Sequence, residues 1–180
     1  MTALLLVILS CLAVQTIIAD NSCKTPKSIL DDIDVQKLQN VWKTVYVNSK
    51  QMAAEYSCWS GEIGAASNGV IPVQASIIVN SGPQNVTYSG SVQKWNGHYL
   101  NLTLSESDVW STSYNVLALG DKMLIVSGCP PATGGQPVII VQFTTWTPDE
   151  ETMNAAKKAF AELNLDTKDF NMFCPLTKTQ

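Results

Sequence analysis

Arginine is absent from this 180-residue chain, and all eleven basic side chains are lysines scattered along it. A nucleic-acid reader concentrates Lys and Arg on one face to neutralise phosphates, so that class is excluded, and the formal charge of −4 points the same way. Histidine is nearly absent too: His98 stands alone. No two cysteines have CxxC spacing, which leaves zinc and dithiol redox sites without ligands, and no Gly-x-Ser-x-Gly elbow is present to build a serine nucleophile. Beyond the N-terminus no apolar stretch reaches the ~20 residues of a membrane-spanning helix.

What is present begins with a leader. The first nineteen residues carry no charged side chain, and Ala3–Val14 is an apolar run. This is the pattern of a secretory signal peptide, cleaved after Ala19 to leave Asp20–Gln180 as a single domain. An N-terminal anchor is the alternative, disfavoured because the run ends short of a full span. Of five cysteines, Cys11 leaves with the leader, and Cys23, Cys58, Cys129 and Cys174 remain. Four cysteines in a secreted chain imply two bridges with three possible connectivities. The sequons Asn85-Val86-Thr87 and Asn101-Leu102-Thr103 fit an extracellular glycoprotein.

From Val41 to Trp146 the chain reads as successive β segments: 41–48, 55–63, 70–79, 86–95, 98–104, 114–119, 123–127 and 137–146. Asn96-Gly97 is a strong hairpin turn. Leu100, Leu102 and Leu104 alternate with Asn101 and Thr103, and a glycan on Asn101 must face solvent, so the leucines point inward. Ile71, Val73, Ala75, Ile77 and Val79 repeat with the same period. Eight meandering strands joined by short turns predict a closed all-β barrel, which removes sheet edges. Thr147-Pro148-Asp149-Glu150 reads as a capping box with proline in the first helical position. Met153, Ala156, Phe160 and Leu163 then mark the apolar stripe of a helix lying on the barrel's outer wall, ending near residue 163.

The layout resembles the lipocalins, and among them the insect branch of cockroach allergens and salivary proteins of blood-feeding bugs. The residues that carry the likeness are Cys23, Asn40-Val41-Trp42, Tyr56-Ser57-Cys58-Trp59, Tyr114-Asn115-Val116-Leu117, Ile125–Pro131, the late helix and Cys174. The resemblance implies an up-and-down eight-stranded barrel and pairs Cys23 with Cys129 and Cys58 with Cys174. It makes Asn40 and Trp42 the barrel-base motif, with Asn40 where the family has glycine. Leu119-Gly120-Asp121 replaces the family's Thr-Asp-Tyr, and the arginine that packs over the first-strand tryptophan has no counterpart. Trp42 packed against Trp146 or Phe143 is the expected substitute.

A barrel of eight strands has room for side chains or for one small ligand. The expected lining is Tyr46, Trp59, Ile63, Val73, Ala75, Ile77, Tyr88, Leu100, Leu102, Tyr114 and Val116. The occupant would be a small hydrophobic molecule (a lipid, a pheromone-like volatile or a steroid-like compound) carried or sequestered outside the cell, with no cofactor, no metal and no catalysis. An amine would need an inward carboxylate, for which Glu55 and Glu106 are the candidates. His98 could ligate haem, as in some bug lipocalins, but beside a turn it reads as a solvated residue. The alternative to a carrier is an effector or inhibitor that grips a protein target through loops 48–54, 80–85, 106–111 and 129–136.

Overall fold

The computed structural model describes residues 23–82, 84–105 and 107–174. The expected leader with Cys11, the carboxylate of Glu106 and the last six residues lie outside the described residues.

Eight antiparallel strands run in chain order: β1 (Asn40–Val47), β2 (Tyr56–Ile63), β3 (Val70–Val79), β4 (Gln84–Asn96), β5 (Tyr99–Leu104), β6 (Thr112–Leu119), β7 (Met123–Gly128) and β8 (Val138–Phe143). Each pairs with the next, β8 pairs with β1, and β1 pairs with β2, so the sheet closes as expected. Alternation is clean on β3, where Ile71, Val73, Ala75 and Ile77 are buried and their neighbours are not. On β7 and β8 every residue is buried, because the outer face of those strands is covered as well. Their inner side chains join one core with Leu100 and Tyr114, while their outer ones join a second core with Ala156, Phe160 and Leu163.

The covering element is helix α2 (Glu150–Glu162), preceded in the chain by a short helix α1 (Lys50–Glu55). The cap of α2 differs from the expected box. Asp149 is the N-cap and accepts from the Thr152 amide at 2.8 Å, so Thr147 and Pro148 lie outside the helix. An aspartate at this place satisfies an orphan amide and complements the helix dipole, which a threonine two residues earlier could not do. The predicted stripe does face the barrel, with Ala159 added to it.

Two further corrections concern β1. It meets β8 with Lys43 opposite Phe143 and Thr44 opposite Gln142, but then Tyr46 is opposite Val141, which leaves Val45 as a bulge. The extra residue reverses the parity of everything after it. Tyr46, expected inside, therefore faces outward under α2, and Val47 turns in. Trp42 does not pack on Phe143 or Trp146 as expected. It points into the barrel while those two sit in the outer core, and Lys43 lies 5.9 Å over the Trp146 ring instead.

The barrel's base is closed by the segment before β1. Leu38, at the end of a 3-10 turn Val35–Leu38, is fully buried and accepts from the Trp42 indole nitrogen at 2.8 Å. A lysine of β4 holds the segment in place: Lys94 Nζ donates to the Ile33 carbonyl at 3.1 Å and pairs with Asp32 at 2.6 Å. This ion pair draws the Asp32 carboxyl below its ordinary pKa, through the Lys94 hydrogen bond first and the Ile33 amide second. Asn40 is exposed and caps the Val41 amide with its own side chain.

The two disulfides join Cys23 to Cys129 and Cys58 to Cys174. The second anchors a short strand β9 (Asn171–Met172), which pairs with β1 at Tyr46 and Val47. Cys58 has φ of 52°, and pairing of β2 with β3 slips between Ser57 and Ser60. At the mouth end β1 and β2 thus part, and the chain's tail fills the gap.

Candidate ligand-binding site

All eight barrel strands contribute to one internal cavity of about 80 Å³. Seven of the expected residues line it: Trp59, Ile63, Val73, Ala75, Leu100, Leu102 and Tyr114. Ile77, Tyr88 and Val116 belong to the same inner core but do not border the cavity. Tyr46 borders a different crevice, between β1, β8 and α2, for the reason given above.

The lining also includes Trp42, Gly61, Val92, Leu124, Val126, Ile140 and Gln142. Gly61 could have been read from the sequence, since it follows from Trp59 by alternation on β2. Val92 could not: a turn at Asn96-Gly97 would set it opposite Asn101, whereas the turn is Gly97-His98, Trp95 bulges between Lys94 and Asn96, and Val92 comes opposite Leu102. Gln142 is a polar residue in the expected strand 137–146, and only the register of β8 against β1 shows that it faces in.

Among the described residues no Asp, Glu, Lys or His lines the cavity. Glu55, a candidate inward carboxylate, sits on α1, is exposed, and accepts from Gln51. An inward position was expected from a β2 beginning at Glu55; instead Ser49 caps α1 by accepting from the Met52 amide at 3.1 Å, and β2 starts at Tyr56. Lys50 to Glu55 are all good helix formers, with no β-branched residue and no glycine among them, and that run was the missed signal.

His98 does not line the cavity. It lies in the β4–β5 turn against the Tyr99 ring, centroids 4.8 Å apart, and is half-buried rather than freely solvated. Its Nδ1 is buried and has no partner among the described residues. Among those residues no group of three or more His, Cys, Asp or Glu is placed to hold a metal ion.

The polar side chains of the lining are few. The Tyr114 hydroxyl donates to the Trp110 carbonyl at 3.2 Å, and burial pushes its pKa well above the ordinary phenol value. Gln142 donates from Nε2 to the Thr44 hydroxyl at 3.0 Å, and both side chains are buried. Toward the mouth the barrel is filled. Met52 of α1, Trp110 of the β5–β6 loop and Phe173 of the tail are each about 1% exposed and belong to the inner core. Trp110 meets Tyr56 edge-on at 5.0 Å and Trp59 at 5.1 Å, and its indole N–H has no partner among the described residues. The loop after β7 joins this plug where the Ala132 amide donates to the Val109 carbonyl at 2.8 Å.

The sequence matches no protein-family model and no curated protein at a significant level. Solved structures do match. The cockroach allergen Per a 4 aligns at 18% identity over 89% of this chain and all of its own, with a TM-score of 0.69. Insecticyanin from the tobacco hornworm Manduca sexta aligns at 12% identity over 84% of this chain and 85% of its own, TM-score 0.66. The amine-binding protein of Rhodnius prolixus, solved with tryptamine, aligns at 14% identity over 83% of this chain and 86% of its own, TM-score 0.64. At such identities the likeness speaks for the fold, and a closed meander of eight strands with one long helix on its outer wall, shared across most of the chain, is the lipocalin fold.

Proposed function

We propose that this protein is a secreted carrier or scavenger that holds a small, neutral, mainly apolar molecule inside its barrel. The observation that carries the reading is the cavity itself: about 80 Å³, bordered by every barrel strand and, among the described residues, by no charged side chain. Burial is the driving force, at ~25 cal/mol for each Å² of apolar ligand surface removed from water. An ion in such a place would cost more to desolvate than the walls return. A protonated amine thus finds no counter-charge among the described residues of this lining, and an amine such as the tryptamine solved in the Rhodnius protein is disfavoured here.

Size narrows the choice further. Pockets for drug-sized ligands run to roughly 300–1,000 Å³, and an engineered cavity of about 150 Å³ takes benzene. The cavity here, at about 80 Å³, takes a short chain as it stands and a ring or larger guest only when its walls give way, the plug at Trp110 first. Native mass spectrometry of the protein secreted from eukaryotic cells tests the reading. A stoichiometric adduct of low mass, lost on denaturation, supports it. An empty barrel that also fails to take up small aromatic probes overturns it.

The second reading, an effector acting on a protein target through the mouth loops, has the filled mouth in its favour. Val109, in the loop that carries Trp110, is exposed on this surface. An empty barrel together with one-to-one capture of a defined protease would support that reading instead.

A further inference from the structure

We infer that Gln142 is the polar anchor of the cavity and that it selects a ligand bearing a hydroxyl group. The inference rests on the carrier reading and specifies its ligand class. Gln142 lies on β8, opposite Thr44 across the β1–β8 ladder, and both are buried. One N–H of the carboxamide is engaged by the Thr44 oxygen, which fixes the plane of the amide. Its carbonyl oxygen and second N–H have no partner among the described residues, although the side chain borders the cavity. A carboxamide so held offers one acceptor and one donor to whatever sits beside it.

The other polar groups of the lining offer less. The Tyr114 hydroxyl and the Trp42 N–H are already bonded to the carbonyls of Trp110 and Leu38. The Trp59 indole can only donate. A hydroxyl, which donates and accepts at once, matches the free pair on Gln142. A hydrocarbon would leave that pair unmet in a dry site, and a carboxylate or ammonium would bring a charge with no counter-ion among the described residues of the lining.

The test uses phenol and toluene, which have the same shape and differ in the group offered to the amide. Binding of each is measured by calorimetry or ligand-observed NMR to the full secreted chain and to Gln142→Leu. Expected is a shift of the toluene-to-phenol affinity ratio by about tenfold toward toluene in the variant. Thr44→Val, which releases the amide but keeps it, should shift the ratio in the same direction by less. In the unmodified protein the side-chain amide protons of Gln142 should move further downfield with phenol than with toluene, whose ring current is nearly the same, a readout that needs no variant to fold. If both probes bind and the ratio is unchanged in Gln142→Leu, the anchor is wrong while the carrier reading stands. If Trp59→Phe removes the phenol preference and Gln142→Leu does not, the anchor is wrong in the same way. If neither probe binds the unmodified protein, the carrier reading falls and the inference with it.

Discussion

The Phe173 amide donates to the Val45 carbonyl at 2.8 Å, and that bond ties the tail of the chain to the bulge in the first barrel strand. On its other side the Phe173 carbonyl accepts from the Cys58 amide at 3.2 Å. One residue thus bridges β1 and β2 where they have separated, and its ring enters the inner core. Removing the ring leaves a cavity at the seam of the barrel. Phe173→Ala is expected to lower unfolding stability by about 3–5 kcal/mol in denaturant titration. Native-state hydrogen exchange should show the gain in exchange concentrated at Val45–Val47 and Tyr56–Cys58. A uniform rise across all strands would mean that the seam is not a distinct closure.

Gly61 offers the means to fill the cavity without straining the wall. It borders the cavity, faces Ala75 across the β2–β3 ladder and Trp42 across β1–β2, and a Cβ added there meets nothing within 4 Å. Gly61→Val is expected to raise stability by about 0.4–1 kcal/mol, since it restricts the unfolded chain and suits a strand. It should also weaken toluene binding at least tenfold. Thermal unfolding and calorimetry on the same sample check both effects. Stabilisation with undiminished toluene affinity would place the probe elsewhere, with the crevice under α2 the first alternative.

Much of this arrangement was legible in the residues. Alternation on β3 and β5 and the apolar stripe of α2 each reflect a local rule, and local rules are written in neighbouring residues. The hairpin expected at Asn96-Gly97 turns one residue later, at Gly97-His98, because Asn96 pairs with Tyr99 and Trp95 bulges between Lys94 and Asn96. What escaped depended on distant partners. Nothing near Val45 announces a bulge, because its carbonyl is claimed by Phe173 from the other end of the chain. The misplacement of Tyr46 follows directly, since one extra residue turns each later side chain to the opposite face. The inward direction of Gln142 was hidden for a related reason. On β8 both faces are covered, so the hydrophobic pattern that reports direction elsewhere is missing there.

Trp110 separates packing from hydrogen bonding at the mouth. Its ring is fully enclosed, yet its N–H has no partner among the described residues. Trp110→Phe removes a buried unpaired donor along with part of the ring, and the two effects oppose each other. Its stability is expected to stay within about 1 kcal/mol of the unmodified protein, whereas Trp110→Ala should lose about 3–5 kcal/mol. If the ring is also the plug, stopped-flow mixing should show faster toluene entry in Trp110→Ala. Unchanged entry rates would move the ligand path away from this loop.

Acid should loosen α2 before it opens the barrel. Asp149 at the helix N-cap is held well below the ordinary carboxylate pKa, first by its hydrogen bond from Lys122 and then by the Thr152 side chain and amide. The Lys122 ammonium lies 2.8 Å away, with its own pKa raised by the same contact. A carboxyl whose pKa is depressed on folding contributes stability that is complete above the unfolded value near 4 and is lost as pH falls through the lower folded value. Below about pH 4, then, the unmodified protein should lose stability faster than Asp149→Asn, which keeps a competent cap but has no charge to titrate. Urea unfolding at several pH values between about 5 and 2 measures the difference. Because both partners are solvent-exposed, added salt should shrink that difference. Parallel pH curves for the two proteins would show that the Lys122–Asp149 contact is too well screened to steady the helix on the wall.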